Sequence, residues 1–205
     1  MPIRGLVFDL FGTLVTRGPG PRAYRELVLT LPPWKWRHAR HLALTAEFPT
    51  ISAFHAHFRP RRGPAPAYFE RLVAAGMAKI RLYDDSIPTL ARARAEGLRV
   101  ALLSNLASPY KQPVFELGLD RHFDVLVFSC EVGLAKPERR IYELVADKLE
   151  LPASELLMIG DTLRDDVRGA KAAGLSALHI DRDGARADLH GLGDELFAHP
   201  VLNRG

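Results

Sequence analysis

Apolar positions fall in short runs along this chain, and their spacing changes near residue 83. The first run, Ile3 to Phe8, stops at Asp9 and predicts a buried strand. Phe11-Gly12-Thr13-Leu14 then reads as a turn. From about Pro21 to Ile80 the spacing is helical. It predicts helices near Pro21–Thr30, Lys35–Glu47 and Ala65–Ala78, separated by Pro32-Pro33, Pro49 and the stretch Pro60 to Pro66. No alternating strand pattern occurs there. Beyond Tyr83-Asp84-Asp85 the rhythm becomes helix Ile87–Glu96, strand Arg99–Leu103, helix Pro109–Leu117 and strand Phe123–Phe128. A loop through Lys136-Pro137 follows, then helix Glu138–Leu149, strand Leu156–Ile159, helix Asp166–Ala173 and strand Ser176–Ile180. The tail from Gly184 to Gly205 predicts a loop and a short helix.

Strands alternating with helices imply right-handed crossovers and a parallel sheet covered on both faces. The predicted fold class is therefore α/β, a Rossmann-like parallel sheet core with a small all-helical module. Residues 1–15 and 83–205 form the core, and 16–82 the helical insertion. Polar residues follow the C-terminal ends of three predicted strands, at Asp9, Ser104-Asn105 and Asp161. In an open parallel sheet those ends converge on the crevice where ligands bind.

The charge distribution sharpens this division. Residues 16–82 hold 12 Lys/Arg against Glu26, Glu47 and Glu70, a balance of +9, while the remainder is −5, giving the overall +4. A basic segment beside an acidic core attracts anions. A small anionic substrate accounts for this charge, and nothing resembles a nucleic-acid-binding fold. No apolar run approaches the roughly 20 residues needed to cross a bilayer, and no signal-peptide pattern opens the chain. One cysteine, Cys130, allows no internal disulfide, and the expected location is cytoplasmic. Monomer and homodimer are both compatible with the sequence.

The strand-end groups define a chemistry. A carboxylate there can act as a covalent nucleophile on phosphorus or carbon. A phosphoryl group repels it, and Mg²⁺ held by hard oxygens from Asp9, Asp161 and Asp166 would offset the repulsion. Lys136 offers a point charge, and Ser104 and Asn105 offer neutral donors to the transferring group.

Phe8-Asp9-Leu10-Phe11-Gly12-Thr13-Leu14, Leu103-Ser104-Asn105, Lys136-Pro137 and Ile159-Gly160-Asp161-Thr162-Leu163-Arg164-Asp165-Asp166 resemble, in order and spacing, motifs I to IV of the haloacid dehalogenase superfamily. Ser129-Cys130-Glu131-Val132-Gly133 and Val167 to Gly174 are similar to the subfamily with a helical cap after motif I. The resemblance implies Asp9 as nucleophile and a Mg²⁺ site formed by Asp9, the Phe11 backbone carbonyl and Asp161. It implies that Ser104 holds the transferring group and that Lys136 orients Asp9 and offsets its charge. Asp166, or Asp165 under the shorter family spacing, would act as the second motif IV acid through a water. Residues 16–82 would be the cap, which excludes water and selects the substrate.

The pattern breaks at Phe11. Phosphatases of the superfamily place a second Asp there, which protonates the leaving group and activates water. The leading expectation is a Mg²⁺-dependent phosphatase slowed by that change, or one helped by a cap histidine among His38, His41, His55 and His57. A 2-haloacid dehalogenase-like reaction is the alternative, since halide leaves without a proton and those relatives carry an aromatic residue at this position. Asp161 and Asp166 count against it, because without a metal they would repel an incoming carboxylate. A Schiff-base phosphonate reaction would need Lys35 or Lys79, and a non-catalytic ligand-binding member completes the set. Arg22 and Arg25 are candidates for contacting a substrate anion, provided their helix faces the core. Trp34 to His41 mixes aromatic and basic side chains, read as an amphipathic helix with Trp34 or Trp36 turned inward.

Overall fold

The computed structural model describes residues 2–16, 22–184 and 187–202. Five strands, β1 (Gly5–Phe8), β2 (Arg99–Ser104), β3 (Val125–Phe128), β4 (Leu156–Gly160) and β5 (Ser176–His179), form one parallel sheet in the order β3-β2-β1-β4-β5. The order reverses beside β1, so a crevice opens between the ends of β1 and β4.

Alternation within the strands builds a core on each face. Leu6 and Phe8 of β1, Val100 and Leu102 of β2, and Leu157 and Ile159 of β4 share one apolar cluster. It is covered by α5 (Ser86–Ala95), α6 (Gln112–Glu116) and α10 (Asp194–Ala198), through Leu90, Val114 and Leu196. The intervening Val7, Ala101, Leu103 and Met158 point to the other face. There α8 (Arg139–Leu149) packs Ile141, Tyr142 and Val145, and α9 (Gly169–Ala172) packs Ala170. Fully buried strands on both faces explain why β1 and β4 read as continuous apolar runs.

After Val15 the chain enters four helices, α1 (Ala23–Leu29), α2 (Pro33–Thr45), α3 (Ile51–Phe58) and α4 (Pro66–Met77), and returns at Leu82, which bridges Val15 antiparallel. The Thr16 N–H donates to the Arg81 carbonyl (2.8 Å), closing the neck of this excursion. The four helices surround their own cluster, with Leu27, Ala39, Phe54 and Phe69 at its centre. The start expected for the first of them, Pro21, lies outside the described residues, as do parts of the tail.

Several elements depart from expectation. The periodicity reading lacks α3, although Ile51, Phe54 and Phe58 line one helical face and the Thr50 hydroxyl accepts from the Ala53 N–H (3.1 Å). Pro49 and the histidines obscured that N-cap signal. It also lacks α7 (Ser129–Val132), a single turn ended by Gly133 at φ 69°. The helix expected to begin at Asp166 begins at Leu163 as a π-helical turn to Arg168 and continues into α9. Of the two tryptophans, Trp36 is the one turned inward, donating from Nε1 to the Leu31 carbonyl (2.8 Å), while Trp34 is exposed. Among the described residues no helix is long and apolar enough to cross a membrane.

Candidate active site

Strand ends supply the first groups. Asp9 directly follows β1, and its N–H donates to the Ile159 carbonyl of β4 (2.9 Å), so the carboxylate stands beside the crevice. Ser104 is the last residue of β2 and is buried. Asp161 follows Gly160 at the end of β4.

Lys136 joins them. Its Nζ donates to Asp9 Oδ1 (2.7 Å), to Asp166 Oδ1 (2.6 Å) and to the Leu103 carbonyl (2.9 Å), with only 2% of the side chain exposed. One buried ammonium thus bridges two buried carboxylates. Burial works against the ammonium, but Asp9 and Asp166 more than offset this and hold its pKa above the ordinary lysine value. Burial pushes the Asp9 carboxyl up to about 6, against the lowering pull of Lys136 and with Asp166 and Asp161 adding repulsion.

Asn105 fixes the Lys136 backbone. Its Nδ2 donates to the Lys136 carbonyl (2.8 Å), and its Oδ1 accepts from the Lys136 N–H (2.9 Å). The expectation that Asn105 serves the transferring group therefore meets a side chain engaged at both ends with the lysine loop. The Lys136–Pro137 peptide is cis.

The two motif IV acids are separated by the π-helical turn. The Asp166 N–H donates to the Thr162 carbonyl (2.7 Å), and Asp166 Oδ2 accepts from the Thr162 N–H (2.9 Å). This lays the carboxylate against Gly160, where a Cβ would overlap the Asp166 side chain. Asp165 is half-buried instead, ion-paired to Arg164 (3.9 Å), and its carbonyl accepts from the Tyr142 hydroxyl. Burial pushes its carboxyl up. Asp166 is thus the residue beside Lys136. Asp9, Asp161 and Asp166 each offer a carboxylate oxygen within 4.8 Å of the others, a geometry able to hold a metal ion.

Asp9, Ser104, Lys136, Asp165 and Asp166 line a cavity of about 750 Å³, and Thr162 brings the chain beside Asp161 to its wall. Phe11 lines it and meets Tyr110 edge-on at 6.3 Å between ring centroids. Arg22 and Arg25 also line it, as does Lys79. Lys35 and the four histidines are not among its lining residues. His38 and His57 instead pack on Phe58, and His55 on Phe69. Sequence reasoning missed Tyr24, Arg40 and Tyr110 as lining groups. For Arg40 the available signal was its spacing of three and four from Ala43 and Leu44, which face the same cavity. It also missed His179, whose Nε2 lies 3.2 Å from the Asp161 carbonyl.

A strand-end carboxylate, a buried cation and an acidic cluster at the ends of a parallel sheet are an arrangement suited to hydrolytic displacement on an anionic group. The family model for haloacid dehalogenase-like hydrolases matches residues 3–174, and the chain belongs to that family. Among curated relatives, it is 32% identical to phosphoserine phosphatase of Thermus thermophilus over 162 residues, 71% of this chain and 65% of the relative. It is 31% identical to phosphoglycolate phosphatase of Pectobacterium atrosepticum over 185 residues, 84% of this chain and 77% of the relative. The chain thus spans just under two thirds of the first relative's length. A solved structure of a HAD phosphatase from Thermococcus onnurineus superposes with a TM-score of 0.68 at 25% identity, covering 98% of both chains.

Proposed function

We propose that this protein is a Mg²⁺-dependent phosphatase for small phosphate monoesters, with Asp9 as nucleophile and residues 16–82 as a cap over the site. The observation that carries the reading is the buried arrangement of Asp9, Lys136 and Asp166, with Asp161 close enough to share an ion. The names of both relatives, phosphatases of phosphoserine and of phosphoglycolate, support a phosphoester substrate.

The donor set fits Mg²⁺, which prefers hard carboxylate and carbonyl oxygens. Asp9, Asp161 and the Phe11 carbonyl would hold the ion. Both Asp166 oxygens already accept hydrogen bonds, which suits a role through a water of the ion's shell. When bound, the ion offsets the repulsion between the phosphoryl group and Asp9.

Lys136 holds Asp9 through Oδ1 and leaves Oδ2 to attack phosphorus. As that O–P bond forms, the bond from phosphorus to the ester oxygen breaks, giving an aspartyl phosphate and an alkoxide. Phe11 has no proton to give, so the alkoxide takes one from water and leaves hydroxide. A second water, giving its proton to that hydroxide, then attacks phosphorus; the bond from phosphorus to Asp9 breaks, restoring the carboxylate and releasing inorganic phosphate. Ser104 donates to the transferring group, and Asn105 acts through Lys136. The site is read as intracellular, with Cys130 a buried free thiol in a reducing compartment.

Phe11 also supports a second reading, 2-haloacid dehalogenase-like chemistry, because halide leaves without a proton. Phosphate and halide release are therefore measured on phosphate esters and 2-haloacids, with Mg²⁺ and with EDTA, for wild type and Asp9→Asn. Metal-dependent phosphate release that disappears in Asp9→Asn is expected. Metal-independent halide release would replace the phosphatase reading with the second. Ligand binding without turnover, unaffected by Asp9→Asn, would make this a non-catalytic member.

A further inference from the structure

We infer that the substrate carries a second anionic group, a carboxylate or another phosphate, gripped by Arg22, Arg25, Arg40 and Lys79 on the helical side of the cavity. This rests on the phosphatase reading above and narrows its substrate class. Charge around the cavity is divided by element. The sheet side contributes Asp9, Asp165 and Asp166, while the described lining residues of the helical side include four cations and no acid. Arg22 directly precedes α1, Arg25 lies in its first turn, Arg40 sits in α2, and Lys79 follows α4. Three separate helices therefore bring positive charge to one volume.

Among the described residues, no carboxylate lies within ion-pair distance of Arg22, Arg25 or Arg40. Positive side chains that line one cavity without acidic partners give it a field that attracts an anion. Arginine is also the side chain best matched to carboxylate and phosphate geometry.

Tyr24 is an independent sign of a ligand. Its hydroxyl is buried without a hydrogen-bond partner, and the residue lines the same cavity. Its ring is held between Phe54 (5.2 Å) and Tyr110 (6.1 Å), so the hydroxyl has little freedom to find a partner elsewhere. A buried hydroxyl is normally paired, and an anionic oxygen would satisfy this one.

The rest of the lining includes Phe11, Val28, Leu44, Leu72, Ile80 and Tyr110. This apolar wall suits a short carbon skeleton, and the 750 Å³ volume suits a small molecule. The substrate is thus a compact phosphate ester with its transferring phosphate at Asp9 and a second anion at the arginines. A phosphorylated carboxylic acid and a bisphosphate share that chemistry.

The test compares three phosphate esters of matched length: one ending in a carboxylate, one in a second phosphate and one in a neutral methyl ester. Turnover with Mg²⁺ is measured for wild type, Arg25→Met, Arg40→Met and the Arg22→Met/Arg25→Met/Arg40→Met triple variant. In parallel, binding of a phosphonate bearing a carboxylate, and of its neutral methyl ester, is measured by calorimetry. Wild type is expected to favour at least one anionic substrate over the neutral one by about tenfold or more in kcat/KM. The triple variant should lose most of that ratio, chiefly through KM, and each single variant part of it. Whichever anionic ester is preferred identifies the source of the second charge. Phosphate release from all three esters with equal efficiency would overturn the inference and leave the phosphatase reading standing. Absence of phosphate release from every ester would defeat the phosphatase reading. The calorimetric arm then decides separately, since equal binding of charged and neutral phosphonates would overturn the second-anion site. Loss of preference with an altered circular dichroism spectrum is resolved by Arg25→Lys and Arg40→Lys, which keep the charge and should retain a measurable part of the ratio; failure to retain any would count against it.

Discussion

Replacing Lys136 by Met removes the ammonium while keeping most of the side chain's length, leaving Asp9 and Asp166 to face each other. Three contacts go, at 2.7, 2.6 and 2.9 Å, all made by a side chain 2% exposed. Asp166 retains the Thr162 N–H, but Asp9 loses the cation that holds its pKa down. Breaking a buried ion pair by removing one partner costs about 3–5 kcal/mol, a large part of the total stability of an ordinary domain. The loss depends on pH in a defined direction. Burial already raises Asp9 to about 6 from the ordinary 3.8, and the variant raises it further. A carboxyl with a folded pKa above its unfolded one gains stability from protonation. The deficit should therefore be full above the variant's raised value and shrink as pH falls toward about 6, below which wild type and variant gain alike from protonation. Each additional unit of elevation returns about 1.4 kcal/mol on protonation. Urea unfolding followed by far-UV circular dichroism in EDTA, at about pH 8 and about pH 5, measures both quantities. A deficit below about 1 kcal/mol, or one equal at the two pH values, would refute the account of Lys136 as the neutralising centre. Millimolar Mg²⁺ should recover part of the loss at the higher pH, because it restores positive charge between the carboxylates.

Three further outcomes follow from the same geometry. Phe11→Asp restores a proton donor two residues after the nucleophile and should raise ester hydrolysis by about tenfold or more, read as kcat on an alkyl phosphate; an unchanged rate means proton supply is not limiting. Gly160→Ala places a Cβ where the Asp166 side chain lies, so Mg²⁺-dependent turnover should fall by about a hundredfold while the circular dichroism spectrum is preserved. Mg²⁺ binds the ionised form of Asp9, so its apparent affinity should weaken by about tenfold for each pH unit below about 6, measured calorimetrically; a pH-independent affinity would show that Asp9 does not take part.

The strand-end residues were legible because a parallel sheet buried on both faces needs short apolar runs, and those runs stop where the chain meets water. That is why Phe8 to Asp9, Leu103 to Ser104 and Ile159 to Asp161 could be read as boundaries of β1, β2 and β4. The motif spacing places Lys136 with them, and its Nζ meets Asp9 and Asp166 in the structure. The choice between Asp165 and Asp166 was different in kind. Adjacent acids on a regular helix differ by only about 100° around its axis, and periodicity could not say which faced inward. The π-helical turn and the Thr162 contacts decide it, burying Asp166 and leaving Asp165 at the edge of the cavity.

The sequence by itself determined the α/β class, the order of its strands, the polar residues at their ends and the presence of Phe11 two residues after Asp9. Each of these is local, set by which residues a strand or turn can accommodate. Tertiary structure alone decided what surrounds that site. Asn105 proved to hold the lysine loop, His38, His55 and His57 packed against aromatic rings, and Arg40 and Tyr24 came to the cavity from separate helices. A cavity forms between elements, so its lining depends on how α1, α2 and α4 pack over the sheet, and no spacing within one element encodes that.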